Sequence, residues 1–205
     1  MTNHFDKEAR NWDNNLTHIR RTEAIANEML KHIPTKKNLR ALEFGAGTGL
    51  LSIALKDQFS EIVLMDSSRE MIKTVIEKLA KNRIDHLHPV FFDLEKEEYD
   101  GKTFDFIFTQ MALHHVVDIE KMVSKFYKLL NRGGTIAIAD LYTEDGSFHD
   151  FDFTGHKGFD PDYLQGILNK SGFIEIKHNS CYIIRKTDGN EKEIEYPVFL
   201  IIGYK

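Results

Sequence analysis

Hydrophobic positions along the chain alternate between short continuous runs and segments with helical spacing, which predicts alternating strands and helices. The apolar runs predict buried strands over 39–44, 62–65, 87–92, 104–109 and 135–139. Between them, amphipathic segments predict helices over about 49–56, 68–81 and 161–171. A further helix is predicted to begin after Asp118 and to end at Gly133 and Gly134. Repeated alternation predicts an α/β fold, a largely parallel sheet with helices on both faces.

The two ends of the chain depart from this alternation. The apolar positions within about residues 5–32 have the spacing of one helix, which Pro34 would end. Two last strands, about 173–184 and 195–203, flank a turn signal at 188–190 and are therefore expected to pair antiparallel. We expect one domain over residues 1–205, with a helical cap at 1–34 and a long loop at 141–160.

Composition narrows the class of protein. Of 205 residues, 41% are hydrophobic and 29% are charged, as in a soluble globular protein, and no apolar run reaches the roughly 20 residues of a membrane span. The lone Cys181 and a polar N-terminus without a signal peptide favour the cytoplasm of a bacterium or archaeon. A formal charge of −5 argues against a nucleic-acid partner. Nothing indicates the oligomeric state.

Residues 43–49, Glu-Phe-Gly-Ala-Gly-Thr-Gly, join the first predicted strand to a helix. Glycines let a ligand approach the backbone, and ligands of doubly wound sheets bind at this edge; a tight turn without a ligand is the other interpretation. A dinucleotide fingerprint needs a glycine where this chain has Leu50, and no phosphate-loop lysine follows. The carboxylate of Glu43 would repel a pyrophosphate, so the turn suits a cationic ligand.

Acidic residues also end the second and third predicted strands. Asp66 can accept hydrogen bonds from both hydroxyls of a ribose. Ser67 begins a capping box, so it is expected to cap the next helix and to leave Asp66 without a structural task. Asp93 can accept a hydrogen bond from an adenine amine while Leu94 donates from its backbone. The other interpretation is that Asp93 caps a short turn at 94–98.

These motifs resemble class I S-adenosylmethionine (SAM)-dependent methyltransferases. The resemblance covers residues 39–140 most clearly and is closest to the small-molecule branch that includes ubiquinone and menaquinone methyltransferases. It implies a doubly wound, Rossmann-like, seven-stranded, mostly parallel sheet with an antiparallel last strand. The segments that carry the resemblance are 42–50, Asp66, Asp93, 104–108, 113–115 and the pair Gly133-Gly134.

The resemblance also implies which residues bind SAM. Glu43 and the glycines would face its methionine part, Asp66 would hold the ribose and Asp93 the adenine. The expected cofactor-binding residues are Glu43, Gly45, Ala46, Gly47, Asp66, Ser67, Asp93, Leu94, Gln110 and Met111. The usual crossover helix between the third and fourth strands has little room within 94–103, which weakens the adenine assignment.

Methyl transfer from a sulfonium chiefly requires positioning and desolvation, and a general base only where the nucleophile must lose a proton. His114 and His115 are the candidates for such a base, and lining the substrate cavity is their other interpretation. Consecutive side chains point in different directions, so we expect no metal site. Cys181 is expected in the core.

The acceptor is expected to be small and partly apolar. Residues 109–112 lack the Asn/Asp-Pro-Pro-Tyr run of amino-group nucleic-acid methyltransferases. The loop 141–160 contains four phenylalanines, so it is either a lid over the substrate or a packed connection. Residues 5–13 either cover the cofactor or pack through Trp12. The alternative function is a non-catalytic SAM-binding module serving a partner protein, and a nicotinamide oxidoreductase is disfavoured.

Overall fold

A seven-stranded sheet forms the centre of the molecule. The computed structural model describes residues 4–34, 36, 38–149, 153–187 and 191–205. The strands are β1 (Arg40–Phe44), β2 (Glu61–Asp66), β3 (Leu87–Phe91), β4 (Phe104–Gln110), β5 (Leu130–Leu141), β6 (Ile174–Thr187) and β7 (Glu193–Tyr204). Their order is β3-β2-β1-β4-β5-β7-β6. β7 pairs antiparallel with both β5 and β6, and the other neighbouring strands pair parallel. The predicted fold class is confirmed.

Helices cover both faces of this sheet. They are α1 (His4–Glu8), α2 (Leu16–Met29), α3 (Leu50–Leu55), α4 (Arg69–Asn82), α5 (Ile119–Leu129) and α6 (Pro161–Ser171). The apolar sides of α2, α3 and α4 bury one face of the sheet, and those of α5 and α6 bury the other. The carboxyl ends of parallel strands lie at the same edge of a sheet. The glycine turn after β1 and the ends of β2, β4 and β5 therefore lie close together. Within the described ranges, no helix is both long and apolar enough to cross a bilayer.

The prediction of one N-terminal helix over 5–32 is wrong. After α1 the chain forms a short 3-10 turn (Trp12–Asn14), and α2 begins only at Leu16. Asn15 caps α2 because its side-chain oxygen accepts a hydrogen bond from the Thr17 N–H at 2.9 Å. Asparagines compete with helical hydrogen bonding, so a run of them ends one helix and starts another.

The two predicted glycine signals after α5 have different outcomes. The helix ends at Leu129 rather than at Gly133 and Gly134, because Leu130 already begins β5. Gly133 lies inside this strand with φ of 75°. Its N–H donates to the carbonyl of Lys205, and the N–H of Lys205 donates to the carbonyl of Gly134. The antiparallel pairing of β6 with β7 is confirmed, while the turn at 188–190 lies outside the described residues.

Residues 92–103 connect β3 to β4, and the described residues there form no helix, as their small number led us to expect. A hydrogen-bonded turn follows Asp93, whose carbonyl accepts from the Lys96 and Glu97 N–H groups. The buried ammonium of Lys125 on α5 donates to the carbonyls of Leu94 (2.7 Å) and Glu97 (2.8 Å). The buried side chain of Lys125 thus fixes this connection, which has no crossover helix, to α5.

Candidate active site

The three glycines of the turn differ in the space around them. All have positive φ: 66° at Gly45, 54° at Gly47 and 74° at Gly49. A Cβ at Gly45 would lie 2.4 Å from the Cβ of Ala112, and one at Gly49 would lie 2.6 Å from Val75. At Gly47 no neighbouring atom would come closer than 4.0 Å. Gly45 and Gly49 therefore permit close packing. At Gly47 the Met71 sulfur is the nearest described atom, at ordinary contact distance, so a ligand has room to approach the backbone.

Glu43 ends β1 with a buried carboxyl group that is only half satisfied. The residue is 1% exposed, and its Oε2 accepts hydrogen bonds from the Ser52 backbone N–H (3.1 Å) and the Ser52 hydroxyl. Oε1 has no hydrogen-bond partner among the described residues. Burial raises the pKa of Glu43 to about 8. An orphaned buried acceptor beside the glycine turn fits a ligand that brings its own positive charge, as the ammonium of SAM does.

Asp66 ends β2 and joins the turn to the following helix. Its two carboxylate oxygens accept from the N–H groups of Gly47 and Ser68, each at 2.7 Å. The helix cap is Ser68, which accepts from the Met71 N–H, and the predicted cap Ser67 is exposed. The expectation that Asp66 lacks a structural task is therefore wrong, since it holds the glycine turn in place. Each oxygen keeps a second lone pair that a ribose hydroxyl can use.

Asp93 lies after β3 in the capping role that was its other interpretation. Its carboxylate accepts from the Glu95 N–H (3.1 Å) and from the Lys96 ammonium (2.6 Å). Burial opposes ionisation, but Lys96 and the two backbone N–H groups outweigh it and lower the pKa of Asp93. The adjacent Leu94 is buried. Adenine binding by this pair stays a prediction.

The segment after β4 lies directly beside the glycine turn, where Ala112 meets Gly45. Met111 has φ of 51°, a strained conformation for a residue with a side chain, and its N–H donates to the Ala139 carbonyl at 2.8 Å. The Gln110 amide exchanges hydrogen bonds with the hydroxyl of Thr22 on α2. The structure thus brings Gln110 and Met111 to the site, but the amide group of Gln110 already pairs with Thr22 on α2.

The N-terminal segment is tied to the glycine turn by two aspartates that the sequence did not single out. Asp6 accepts from the hydroxyl of Ser68 at the start of α4 (2.6 Å). Asp13 accepts from the Thr48 hydroxyl (2.6 Å) and pairs with the ammonium of Lys78 (2.5 Å). The segment therefore lies against the turn. Trp12 packs on His18 of α2, with ring centroids 4.2 Å apart, and both interpretations of residues 5–13 stay predictions.

A cluster of histidines follows β4. His114 is 1% exposed, and its Nδ1 lies 2.6 Å from a carboxylate oxygen of Asp140 at the end of β5. The ring of His115 is 4.2 Å from that of His114, and the ring of His149 is 5.4 Å away. The expectation that the consecutive rings point apart is wrong. Burial alone would raise the pKa of Asp140, but His114 reverses this and lowers it.

Aromatic side chains enclose these histidines. Phe153 contacts all three rings, with centroids 5.7 Å from His114, 5.1 Å from His115 and 3.8 Å from His149. From the other side, Phe5 of α1 lies 5.0 Å from His115. The 141–160 loop and the N-terminal segment therefore meet over the end of β4. Of the other phenylalanines in the loop, Phe148 and Phe159 are buried, and Phe151 lies outside the described residues.

Arg21 on α2 places a buried positive charge near the same cluster. It is 6% exposed, and its Nε has no hydrogen-bond partner among the described residues. Burial lowers the pKa of Arg21 to about 10, while Asp140 and Tyr182 lie close enough to oppose this. Burial and the charge of Arg21 also lower the pKa of His18 to about 4, so His18 is neutral. The sequence gives no signal for Arg21, since it lies in an ordinary helical pattern.

Cys181 lies on β6, partly buried against the core cluster, as expected. Burial raises the pKa of its thiol to about 12, so it is neither ionised nor nucleophilic at neutral pH.

The sheet order, the acidic residue before the glycine turn and the acidic end of β2 together define the class I SAM-dependent methyltransferases. Residues 42–136 match the family model of the methyltransferase domain. The chain therefore contains a methyltransferase domain of the SAM-dependent class, with SAM as its cofactor.

Three similar proteins extend this finding. An uncharacterised methyltransferase of Schizosaccharomyces pombe is 31% identical over 171 residues, covering 76% of this chain and 58% of the relative. Malonyl-[acyl-carrier protein] O-methyltransferase 1 of Ilyobacter polytropus is 30% identical over 141 residues, covering 68% and 51%. The structure of phosphoethanolamine N-methyltransferase 2 from Haemonchus contortus, with phosphomonomethylethanolamine and S-adenosylhomocysteine, superposes with a TM-score of 0.68 at 17% identity, covering 92% and 57%. The chain thus spans only about half to three-fifths of the length of these proteins.

Proposed function

We propose that the protein transfers a methyl group from SAM to a small-molecule acceptor, which binds between the glycine turn and the histidine cluster. The observation that carries this proposal is that Phe5 of α1 and Phe153 of the 141–160 loop both contact His115, in the segment that packs against the glycine turn through Ala112 and Gly45. These aromatic rings would give a bound acceptor partly apolar surroundings. In this proposal the loop is a substrate lid and residues 1–34 are a cap.

The glycine turn supports SAM rather than another ligand. Glu43 offers its orphaned Oε1 to the ammonium group, and Gly47 gives the methionine part access to the backbone. Asp66 retains lone pairs for the ribose hydroxyls. When bound, SAM supplies an electrophilic methyl group on a sulfonium, whose leaving group is already activated. The ubiquinone and menaquinone branch stays a prediction.

The residues around the acceptor need to do little chemistry beyond positioning and exclusion of water. Where the acceptor must lose a proton, His114 is the better of the two candidate bases. Asp140 accepts a hydrogen bond at Nδ1, so Nε2 is the nitrogen that can take a proton. The carboxylate also stabilises the imidazolium that would form.

Arg21 supports an acceptor that carries a negative charge. A buried guanidinium with an orphaned N–H is costly unless a ligand pairs with it, and planar carboxylates and phosphates fit it best. The names of two similar proteins, a malonyl-[acyl-carrier protein] O-methyltransferase and a phosphoethanolamine N-methyltransferase, both denote acceptors with an anionic group. We therefore propose a carboxylate- or phosphate-bearing acceptor. We also keep the cytoplasm as the expected location, with no nucleic-acid or membrane partner.

Methyl transfer from labelled SAM to a panel of small carboxylates, phosphates and neutral analogues tests this proposal. We expect turnover with anionic acceptors, and Arg21→Met should raise their KM by about tenfold to a hundredfold, the loss of a charged hydrogen bond. Arg20→Met is a matched control on the exposed side of α2. Tight binding of S-adenosylhomocysteine without turnover on any acceptor would instead favour the non-catalytic module, and stabilisation by NAD alone would refute both.

A further inference from the structure

Three histidines from two separate segments converge beside the acceptor space. His114 and His115 come from the turn after β4, and His149 comes from the 141–160 loop. Each offers one ring nitrogen, and these three nitrogens all lie within 4.8 Å of one another. His149 is 34 positions from His115 along the chain (149 − 115), and simple apolar packing does not require three imidazoles at one point.

We propose that His114, His115 and His149 form a binding site for a divalent transition-metal ion of the zinc class. Neutral imidazole is a preferred ligand of Zn²⁺, Ni²⁺, Cu²⁺ and Fe²⁺ and a poor one for Mg²⁺ and Ca²⁺. Three protein ligands leave one position of a tetrahedral ion open, which is the arrangement of catalytic rather than structural zinc sites.

Asp140 supplies the support that histidine ligands of metals normally have. Its carboxylate lies 2.6 Å from Nδ1 of His114, which leaves Nε2 as the nitrogen that faces a ligand. With a metal ion bound at Nε2, His114 no longer serves as a general base. The same carboxylate accepts from the backbone N–H groups of His114 (3.2 Å) and Leu141 (2.8 Å), so its own position is fixed. A buried carboxylate–histidine pair therefore orients one of the three rings and adds one negative charge beside the ion.

The spacing of the cluster fits a metal ion after a small closure. Zinc–nitrogen bonds of about 2.0–2.1 Å place neighbouring tetrahedral ligand atoms about 3.3 Å apart. The three nitrogens therefore need to approach one another by at most about 1.5 Å, which rotations about the side-chain torsions of His115 and His149 can provide. Both residues are only partly buried.

The open metal position would take a donor atom of the acceptor. Arg21 and the ion together bring more positive charge than Asp140 balances, and an anionic acceptor would neutralise the remainder. Metal binding itself stands without the proposed function, whereas its use in holding the acceptor rests on that function.

Metal content separates the proposal from simple packing. The purified chain, stripped with a chelator, is dialysed against Zn²⁺, and the bound metal per chain is measured. Co²⁺ is then titrated as a visible probe of tetrahedral nitrogen ligation. We expect one Zn²⁺ per chain, and we expect His149→Gln and His115→Gln to lose at least about a hundredfold in affinity, more than the 10- to 100-fold typical of a supporting residue. Asp140→Asn should lose within that smaller range.

The matched control is His88→Gln, the same change at a half-exposed histidine on β3. Each variant is also titrated with S-adenosylhomocysteine, which reports folding and the cofactor site independently of the histidines. Equal Zn²⁺ affinity of the His149 and His88 variants, or a wild-type chain that binds no Zn²⁺ and gives no tetrahedral Co²⁺ spectrum, would overturn the proposal. A variant that does not bind S-adenosylhomocysteine is not used to judge metal affinity. The Co²⁺ spectrum of the wild-type chain then decides whether the metal site exists. Metal binding without any methyl transfer would refute the proposed function alone.

Discussion

Replacing Glu43 by glutamine should remove a pH-dependent loss of stability from the cofactor-free protein, and it should weaken cofactor binding. The wild-type carboxyl group is buried, has one oxygen without a partner, and has a pKa of about 8 instead of its ordinary value of 4.5. The folded state therefore holds a proton that the unfolded state releases above pH 4.5. Stability from this group is full below that pH and is lost as the pH rises to about 8.

The size of the effect follows from the two pKa values. Each pH unit between them changes the free energy of unfolding by roughly 1 kcal/mol, so the wild type should lose roughly 3 kcal/mol relative to Glu43→Gln between pH 5.5 and 7.5. Glutamine can still accept from Ser52, but its amide N–H₂ replaces the orphaned oxygen and costs about 1–3 kcal/mol at every pH. The difference in pH slope, and not the offset, is therefore the diagnostic quantity.

Urea unfolding of both proteins across this pH range measures the slopes, because all other groups titrate equally in the two chains and cancel. Calorimetry with S-adenosylhomocysteine at pH 7 should show binding weaker by about tenfold to a hundredfold in the variant, as a charged hydrogen bond is lost. Parallel stability curves would show that Glu43 is not a buried, protonated carboxyl group. Unchanged affinity would remove it from the cofactor site.

Other substitutions test the remaining parts of the turn. Asp66→Ala should weaken S-adenosylhomocysteine binding by about tenfold to a hundredfold, as measured by calorimetry, and should also lower the unfolding free energy, because two backbone N–H groups lose their acceptor. Gly45→Ala should destabilise the fold by about 3 kcal/mol, whereas Gly47→Ala should cost only about 1 kcal/mol yet reduce ligand binding. Cys181 should react with a thiol reagent at pH 8 at least about a hundredfold more slowly in the native than in the unfolded protein.

Controls and contrary results are specific to each change. Asp57→Ala removes an exposed carboxylate outside the site and should leave binding unchanged. Equal binding by the Asp66 and Asp57 variants would exclude Asp66 from the site. Gly45→Ala and Gly47→Ala control for each other, and equal destabilisation would contradict the packing difference between them. Rapid labelling of Cys181 would mean that β6 opens readily.

The sequence predicts the elements of this fold well because strand and helix periodicity are local properties. The apolar runs of β1 to β5 and the glycine turn follow from neighbouring residues alone. The errors lie where one residue decides a boundary: Ser68 instead of Ser67 caps α4, and Asn15 restarts α2 inside a helical pattern. The free-energy difference between two neighbouring boundary positions of a helix is smaller than the free energy that tertiary contacts can supply.

The site is less predictable because its contacts join residues that are distant along the chain. Asp66 holds Gly47 across 19 positions, and Asp140 holds His114 across 26. No periodicity marks such pairs, and Arg21 is indistinguishable from any surface arginine until α2 is seen to be packed against the sheet. Asp140 directly follows the predicted strand 135–139. Its position at a strand end is the kind of signal that singled out Asp66, but Asp140 was not among the predicted site residues.

The aspartates that tie the N-terminal segment to the glycine turn also set a local electrostatic balance. Asp6 and Asp13 join Asp66 around the turn, and the ammonium of Lys78 pairs with Asp13. Loss of the methyl group converts a sulfonium into a neutral thioether, so the cofactor leaves the reaction with one positive charge fewer. An excess of carboxylates therefore attracts the substrate form more strongly than the product form, and favours exchange of the spent cofactor after each turnover.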